Sequence, residues 1–280
     1  AVQEGAAYGV GSNSRMRHRL TILGCGSSGG VPRIGNDWGR CDPRNPRNRR
    51  RRCAALVEQF GPEGVTTVLI DTGPDIREQL LSVGVKTLDG VLYTHDHADH
   101  THGIDDLRPV AYAMKRRVPV WFDARTRDSL VTRFAYCFAT PPGGSYPPIL
   151  EANDINPPQP VRIPGRGGVI EAVPILQDHG DIPSLGFRIG NFAYSPDISG
   201  LPDASIPLLQ GLELWVVDAL RPTPHPSHFS VPEALAWIER LQPRRAILTH
   251  LTAELDYAEL KRELPGRVEP AYDGMVIELD

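Results

Sequence analysis

The sequence predicts an α/β protein in which strands and helices alternate through two similar halves of one large domain. Three observations lead there. Short apolar runs of β type recur and are separated by segments of helical period. Polar, chemistry-bearing residues follow directly after those runs, most densely at Tyr93-Thr94-His95-Asp96-His97-Ala98-Asp99-His100-Thr101-His102-Gly103, after Gly90-Val91-Leu92. The length, 280 residues, is enough chain to bury a substantial core.

Thirty Lys+Arg against 34 Asp+Glu give a formal net charge of −4, so strong nucleic-acid binding is not expected from bulk charge. No apolar run approaches the ~20 residues of a membrane span, and the N-terminus lacks the apolar core of a secretion signal. A soluble cytoplasmic protein is the expectation. The four cysteines, Cys25, Cys41, Cys53 and Cys137, form no C-x-x-C pair and suit a reducing compartment as small buried residues. Residues 1–15 are Gly/Ser/Ala-rich and aperiodic, and read as a disordered tail before a single domain over 16–280.

Leu20 to Leu23 is a strand, followed by the glycine-rich turn from Gly24 to Pro32. That turn lacks the Gly-Lys-Ser/Thr end of a P-loop, and its glycines suit close backbone approach. The Arg49-Arg50-Arg51-Arg52 run precedes a strand from Cys53 to Val57. Charge runs are usually solvated, but alternate residues entering a strand point the same way. Arg50 and Arg52 are therefore the candidates to hold a phosphate. Thr66 to Gly73 is a buried strand ending in Asp71-Thr72-Gly73, with a helix from Pro74 to Val83. A helix from Ile104 to about Arg116, a strand from Pro119 to Phe122 and a helix from Arg125 to Phe138 come next.

Residues 139–164 shift to Pro, Gly and Asn and read as a long edge loop walling the substrate cleft or meeting a second protomer, which leaves a homodimer open. Val169 to Leu176 is a strand delivering His179. Leu185 to Ile189 and Phe192 to Ser195 form a hairpin delivering Asp197. Leu214 to Val217 leads to Asp218 and then to Pro224-His225-Pro226-Ser227-His228. Ser230 and Glu233 form a capping box for a helix ending near Leu241. Ala246 to His250 is the last ligand-bearing strand. Asp256 opens a short helix, and Gly274 to Leu279 closes the sheet.

In the central loop His95 and His97 can converge on one cation, while Asp99 and His100 can serve a second. Imidazole nitrogen and carboxylate oxygen suit zinc or manganese, with iron also compatible. This His-x-His-x-Asp-His spacing resembles the signature of the metallo-β-lactamase superfamily. The resemblance implies a four-layer αββα sandwich with metals at one edge. It also implies that His95, His97 and His179 hold one divalent ion, that Asp99, His100 and His250 hold another, and that Asp197 bridges them. Asp71 would brace the ligand loop. Such a site favours a small anionic substrate and lowers the pKa of water to roughly 7, giving a bridging hydroxide as nucleophile.

The Gly-Ile-Asp-Asp-Leu-Arg run at 103–108, the Arg-rich run before the second strand and His225-Pro226-Ser227-His228 narrow the resemblance to the PhnP-type phosphodiesterases, over Leu20 to Leu279. By that resemblance His228 is the general acid or a phosphate contact, with His225 a supporting residue. His228 and Asp99 are the candidate catalytic residues. The chain departs from the group in having only Cys41 and Cys53 where clustered cysteines hold a structural zinc, so none is expected. It also lacks an obvious inserted arm of the kind that grips tRNA in the related nucleases. The leading expectation is a phosphodiesterase for a small cyclic or nucleotide-like ester. The alternatives are a thioester or lactone hydrolase on the same metals, and a non-hydrolytic ligand-binding protein like the PqqB group.

Overall fold

Period-two alternation sorts the apolar residues of each central strand between two cores. In β1 (Arg17–Gly24) Leu20 and Ile22 enter one core and Leu23 another; in β2 (Ala54–Gly61) Ala55 and Val57 part from Ala54 and Leu56 in the same way. Strands buried on both faces in this manner must be covered on both faces. The computed structural model, which describes residues 17–279, does so with four layers. The tail expected over residues 1–15, and Met16 after it, lie outside the described residues.

The first sheet has seven strands in the order β14-β1-β2-β3-β4-β5-β6. Here β3 is Gly64–Ile70, β4 Gly90–Leu92, β5 Val118–Phe122, β6 Leu150–Asp154 and β14 Met275–Leu279. The second sheet also has seven, ordered β13-β12-β11-β10-β9-β8-β7. Its members are β7 Val161–Ile163, β8 Ile170–His179, β9 Ile182–Ile189, β10 Phe192–Ser195, β11 Leu214–Asp218, β12 Arg245–Thr249 and β13 Val268–Pro270. Between the sheets pack Leu20, Val57, Val68, Ile70, Phe187, Phe192, Leu214, Val216 and Ile247. Each such burial is worth roughly 1.5–3 kcal/mol over exposure.

The outer face of the first sheet is covered by α1 (Ile76–Val83), α3 (Arg108–Met114), α4 (Ala124–Arg133) and α5 (Ala135–Phe138). The second sheet carries a 3-10 segment, Asp203–Leu209, with α6 (Val231–Leu241) and α7 (Tyr257–Glu263). Ser230 and Glu233 form the expected capping box of α6. No helix among the described residues is long and apolar enough to cross a membrane.

Several elements differ from expectation. Residues 139–164 are not one loop, because β6 and β7 lie within them, one at the outer edge of each sheet. No residue of that segment lines the cleft at the histidine loop, so the segment is a crossover between sheets and not a wall of that cleft. Strands of five and three residues are too short for alternation to register against the surrounding prolines. The expected helix over 125–138 breaks at Phe134, whose φ of −126° is non-helical. The 3-10 segment and β13 carried no signal strong enough to read.

One close approach positions the site. The Thr72 amide donates to the His100 carbonyl and the Gly103 amide to the Thr72 carbonyl, both at 2.8 Å, stapling the histidine loop over 71–73. A Cβ at Gly73 would lie 2.1 Å from the Asp99 carbonyl oxygen, and one at Gly103 would lie 2.1 Å from that of Gly73. Gly73→Ala and Gly103→Ala should each lower stability by about 1–3 kcal/mol or more, because the backbones must separate. Gly266→Ala, where a Cβ meets nothing within 4 Å, is the neutral control. Thermal melts of the three variants check this, and equal melting temperatures would refute the staple.

Candidate metal centre and active-site cleft

Strand ends deliver the polar residues to one edge. Asp71 follows β3, and the histidine loop follows β4. His179 ends β8, Asp197 follows β10, Asp218 ends β11 and His250 follows β12. Asp71, Asp197 and His250 have φ of 66°, 49° and 58°. A left-handed conformation costs a non-glycine residue of order 1–3 kcal/mol and persists where the surroundings over-determine it, often at functional sites. The one-turn helix α2 (Ala98–Thr101) carries Asp99 and His100, with His97 at its N-cap.

Three clusters result, two sharing Asp197 and a third made of Asp218, His228 and His250. One donor atom each from His95, His97, His179 and Asp197 lie within 4.8 Å of one another, as do donors from Asp99, His100, Asp197 and His250. Asp197 belongs to both. Its Oδ1 lies 2.9 Å from His100 Nε2, and its Oδ2 lies 3.7, 3.6 and 3.4 Å from Nε2 of His95, His179 and His250. His179 Nε2 and His97 Nδ1 are 3.3 Å apart. The structure thus brings all seven expected ligands together.

Hydrogen bonds behind the rings set their tautomers. The Asp71 carboxylate accepts from the Thr94 amide at 2.8 Å, the Thr94 hydroxyl at 2.7 Å and His100 Nδ1 at 2.7 Å. Since the Thr94 proton is committed to Asp71, its oxygen accepts from His95 Nδ1 at 2.9 Å. His179 Nδ1 donates to the Ser227 carbonyl at 2.6 Å. In the neutral rings Nε2 of His95, His100 and His179 would therefore present its lone pair inward.

Buried Nε2 of His95 and of His250 have no hydrogen-bond partner, and Nε2 of His100 and Oδ1 of Asp197 meet only each other, at 2.9 Å. An unsatisfied buried polar group costs about 1–3 kcal/mol, so a fold that gathers these atoms needs something to fill the space between. The donor set of imidazoles and carboxylates fits a divalent transition metal. Charge agrees with this. Burial opposes charge on His100, yet Asp197, Asp99 and Asp71 outweigh it and raise its pKa well above the usual imidazole value. Burial and neighbouring imidazoles, against Asp197, hold His95 well below that value. The carboxylates call for positive charge that the histidines alone cannot share evenly.

His228 stands outside the two clusters that share Asp197 and belongs to the third, with Asp218 and His250. Its Nδ1 donates to Asp218 Oδ2 at 2.6 Å, its Nε2 points toward Asp197 Oδ2 at 4.0 Å, and its ring stacks on His250 with centroids 4.6 Å apart. Asp218 is fully buried, burial raises its pKa, and its Oδ2 also accepts from the Ile198 amide at 3.1 Å. Sequence reading passed over Asp218 as a site residue; its only signal is an aspartate closing an apolar strand. His225 Nδ1 accepts from the Ser227 amide at 3.2 Å. It thereby supports the turn whose carbonyl orients His179.

The arginine expectation is corrected. Arg50 is buried at 2% exposure, with its guanidinium donating to the carbonyls of Thr252 and Leu255 at 3.0 and 2.8 Å. Its backbone pairs with Val31 in both directions. Arg52 forms an ion pair with Asp75 at 3.0 Å. Neither lines the cleft. Arg33 does, together with Ser27, Ser28, Arg221 and Glu254, around a cavity of about 420 Å³ floored by the metal ligands. The glycine-rich turn does make its close approach, the Gly26 amide donating to the Arg51 carbonyl at 2.8 Å.

A model of the β-lactamase superfamily domain matches residues 66–251. A solved diphosphatase of the PhnP family is 36% identical, with a TM-score of 0.84 over 94% of this chain and 98% of that one. The chain belongs to the metallo-β-lactamase superfamily, in its PhnP family. The zinc-bound PqqB of Methylobacterium extorquens shares the fold at 16% identity and a TM-score of 0.70, covering 93% of this chain and all of its own. Among curated proteins, an octanoyltransferase of Porphyromonas gingivalis is 31% identical over 269 residues, 94% of this chain and 52% of the relative. The chain thus spans about half the length of that relative. Membership makes it a metallo-hydrolase-superfamily protein, with candidate metal-binding His/Asp clusters in place.

Asp71→Asn should keep the fold but lose the acceptor that fixes His100 and Thr94, weakening metal affinity about 10–100-fold. Competition against a chelator measures this, and unchanged affinity would remove Asp71 from the support of the ligands.

Proposed function

We propose that the chain is a dinuclear metal-dependent phosphodiesterase acting on a small anionic ester, cyclic or nucleotide-like. The carrying observation is His228: an imidazole outside the two clusters that share Asp197, anchored from behind by buried Asp218 and aimed over that shared carboxylate. His95, His97 and His179 would hold one ion, Asp99, His100 and His250 the other, and Asp197 both. Two divalent ions, zinc or manganese with iron compatible, would supply an activated water and neutralise charge on a phosphoryl oxygen.

The chain's own residues do the rest. His228 would give a proton from Nε2 to a leaving oxygen while its Nδ1–H stays on Asp218 and keeps the ring oriented; burial lowers its pKa, and the Asp197 carboxylate opposes that shift. Arg33 contributes a cation to the cavity and presents the geometry for a phosphate oxygen once released from Asp37, which it meets at 2.6 Å. A cavity of about 420 Å³ suits a small molecule. The diphosphatase relative supports phosphorus over carbon as the centre attacked. Thioester or lactone hydrolysis has no comparable support, and non-hydrolytic binding in the manner of PqqB is disfavoured by an intact ligand set beside an acid candidate. Octanoyl transfer is named for a relative this chain half spans, and only Leu220 and Ala253 are apolar in this cleft.

The test compares esters with good and poor leaving groups. His228→Ala should slow an alkyl phosphodiester by roughly 10²–10⁴-fold, retain metal, and lose much less on bis(p-nitrophenyl) phosphate, whose leaving anion needs no proton. Arg33→Met should instead raise KM on both. Equal losses in His228→Ala would make it a binding residue, and wild-type turnover of thioesters or lactones with no phosphodiester cleavage would sink the reading.

A further inference from the structure

Away from the metal cleft, three exposed aromatic rings converge. Tyr112 on α3, Tyr136 on α5 and Tyr146 in the following loop are 51%, 43% and 73% exposed. Together with Arg108, Pro141 and Gly144 they line a cavity of about 540 Å³. Single exposed aromatics are ordinary, but three on one concavity are not. The walls are held in place: the Arg108 guanidinium lies 5.8 Å from the centre of the Tyr136 ring and donates to Asp105 at 2.7 Å. The Thr140 hydroxyl donates to the Tyr146 carbonyl at 3.0 Å, which closes the loop.

Tyr112 also borders a second cavity of about 460 Å³, lined by Lys115, Arg116 and Arg117. Neither cavity is lined by an aspartate or glutamate. Arg116 meets Asp89 at 3.6 Å, while Lys115 and Arg117 have no side-chain partner among the described residues. These cations follow the C-terminal end of α3, whose partial charge of about half a unit one of them would offset. With Arg116 paired to Asp89, Lys115 and Arg117 less that half unit leave a surplus of about one and a half positive charges beside an aromatic cavity.

We infer that this face is a nucleotide-binding site separate from the metal centre, the base seated among Tyr112, Tyr136 and Tyr146 and the phosphates over Lys115, Arg116 and Arg117. Base stacking on aromatic side chains is worth about 1–3 kcal/mol per base and tolerates any base, because every base has a π-face. An arginine beside a tyrosine ring adds a cation–π contact. The phosphates gain from a patch whose charge is screened with increasing salt.

The test is equilibrium binding of a nonhydrolysable ATP analogue to the metal-loaded full chain, with adenosine and inorganic tripolyphosphate as separate probes. Tyr136→Ala, Tyr146→Ala and the double variant Lys115→Ala/Arg117→Ala should each weaken the analogue roughly 5- to 100-fold and leave phosphodiester turnover unchanged. His228→Ala and Arg33→Met should leave that affinity intact, and each half-probe should bind more weakly than the whole. Affinity lost only in the cleft variants would place the nucleotide at the metals and overturn the inference. So would tripolyphosphate binding as tightly as the analogue, no binding at millimolar concentration, or a tyrosine variant that turns a dimer into a monomer, which would make the face a subunit contact.

Discussion

The site depends on one buried carboxylate. Asp71 is fully buried, and its two oxygens accept from the amide and hydroxyl of Thr94 and from His100 Nδ1. Burial pushes its pKa up, and those donors oppose the shift. Through Thr94 its influence extends to His95, so a single anion fixes the tautomers of two rings that would face different ions. Its left-handed backbone turns the chain from β3 into the 71–73 segment over which the histidine loop is stapled. Strand end, strain and hydrogen bonds act together.

The first sheet supplies Asp71 and the histidine loop, and the second supplies His179, Asp197, Asp218 and His250. Neither sheet alone contains either of the two clusters that share Asp197. The apolar core between the sheets is therefore also what registers one half-site against the other, and cores at crystal-like density transmit small changes of volume. Arg50 plays a comparable part at the cleft. Its guanidinium caps carbonyls on the segment after β12, while its backbone holds Val31, two residues before Arg33. The arginine that looked like a substrate contact instead fixes the loop that bears one.

Much of this was legible in the chain and some was not, for physical reasons. The ligand loop announced itself because histidine and aspartate crowd a few residues after a strand. His179, Asp197 and His250 became readable only through the order that the family resemblance supplies, since one polar residue after a strand has no local signature. Asp218 had the same weak signal and no place among the seven ligands, so it was passed over. Arg50 and Arg52 were misjudged because strand alternation says which residues share a face but not whether that face meets solvent, backbone or cleft. The edge strands β6 and β7 escaped because they are short and set among prolines.

This gathering of buried imidazole and carboxylate donors calls for metal to complete it. Thermal melting of the full chain after metal loading and after chelation, with bound metal counted in both samples, tests it most directly. A ligand at about a thousandfold its dissociation constant adds about 4 kcal/mol, so loading should raise Tm by on the order of 10 °C with about two ions bound per chain. A chain that binds no transition metal, or that melts at the same temperature loaded and chelated, would contradict it.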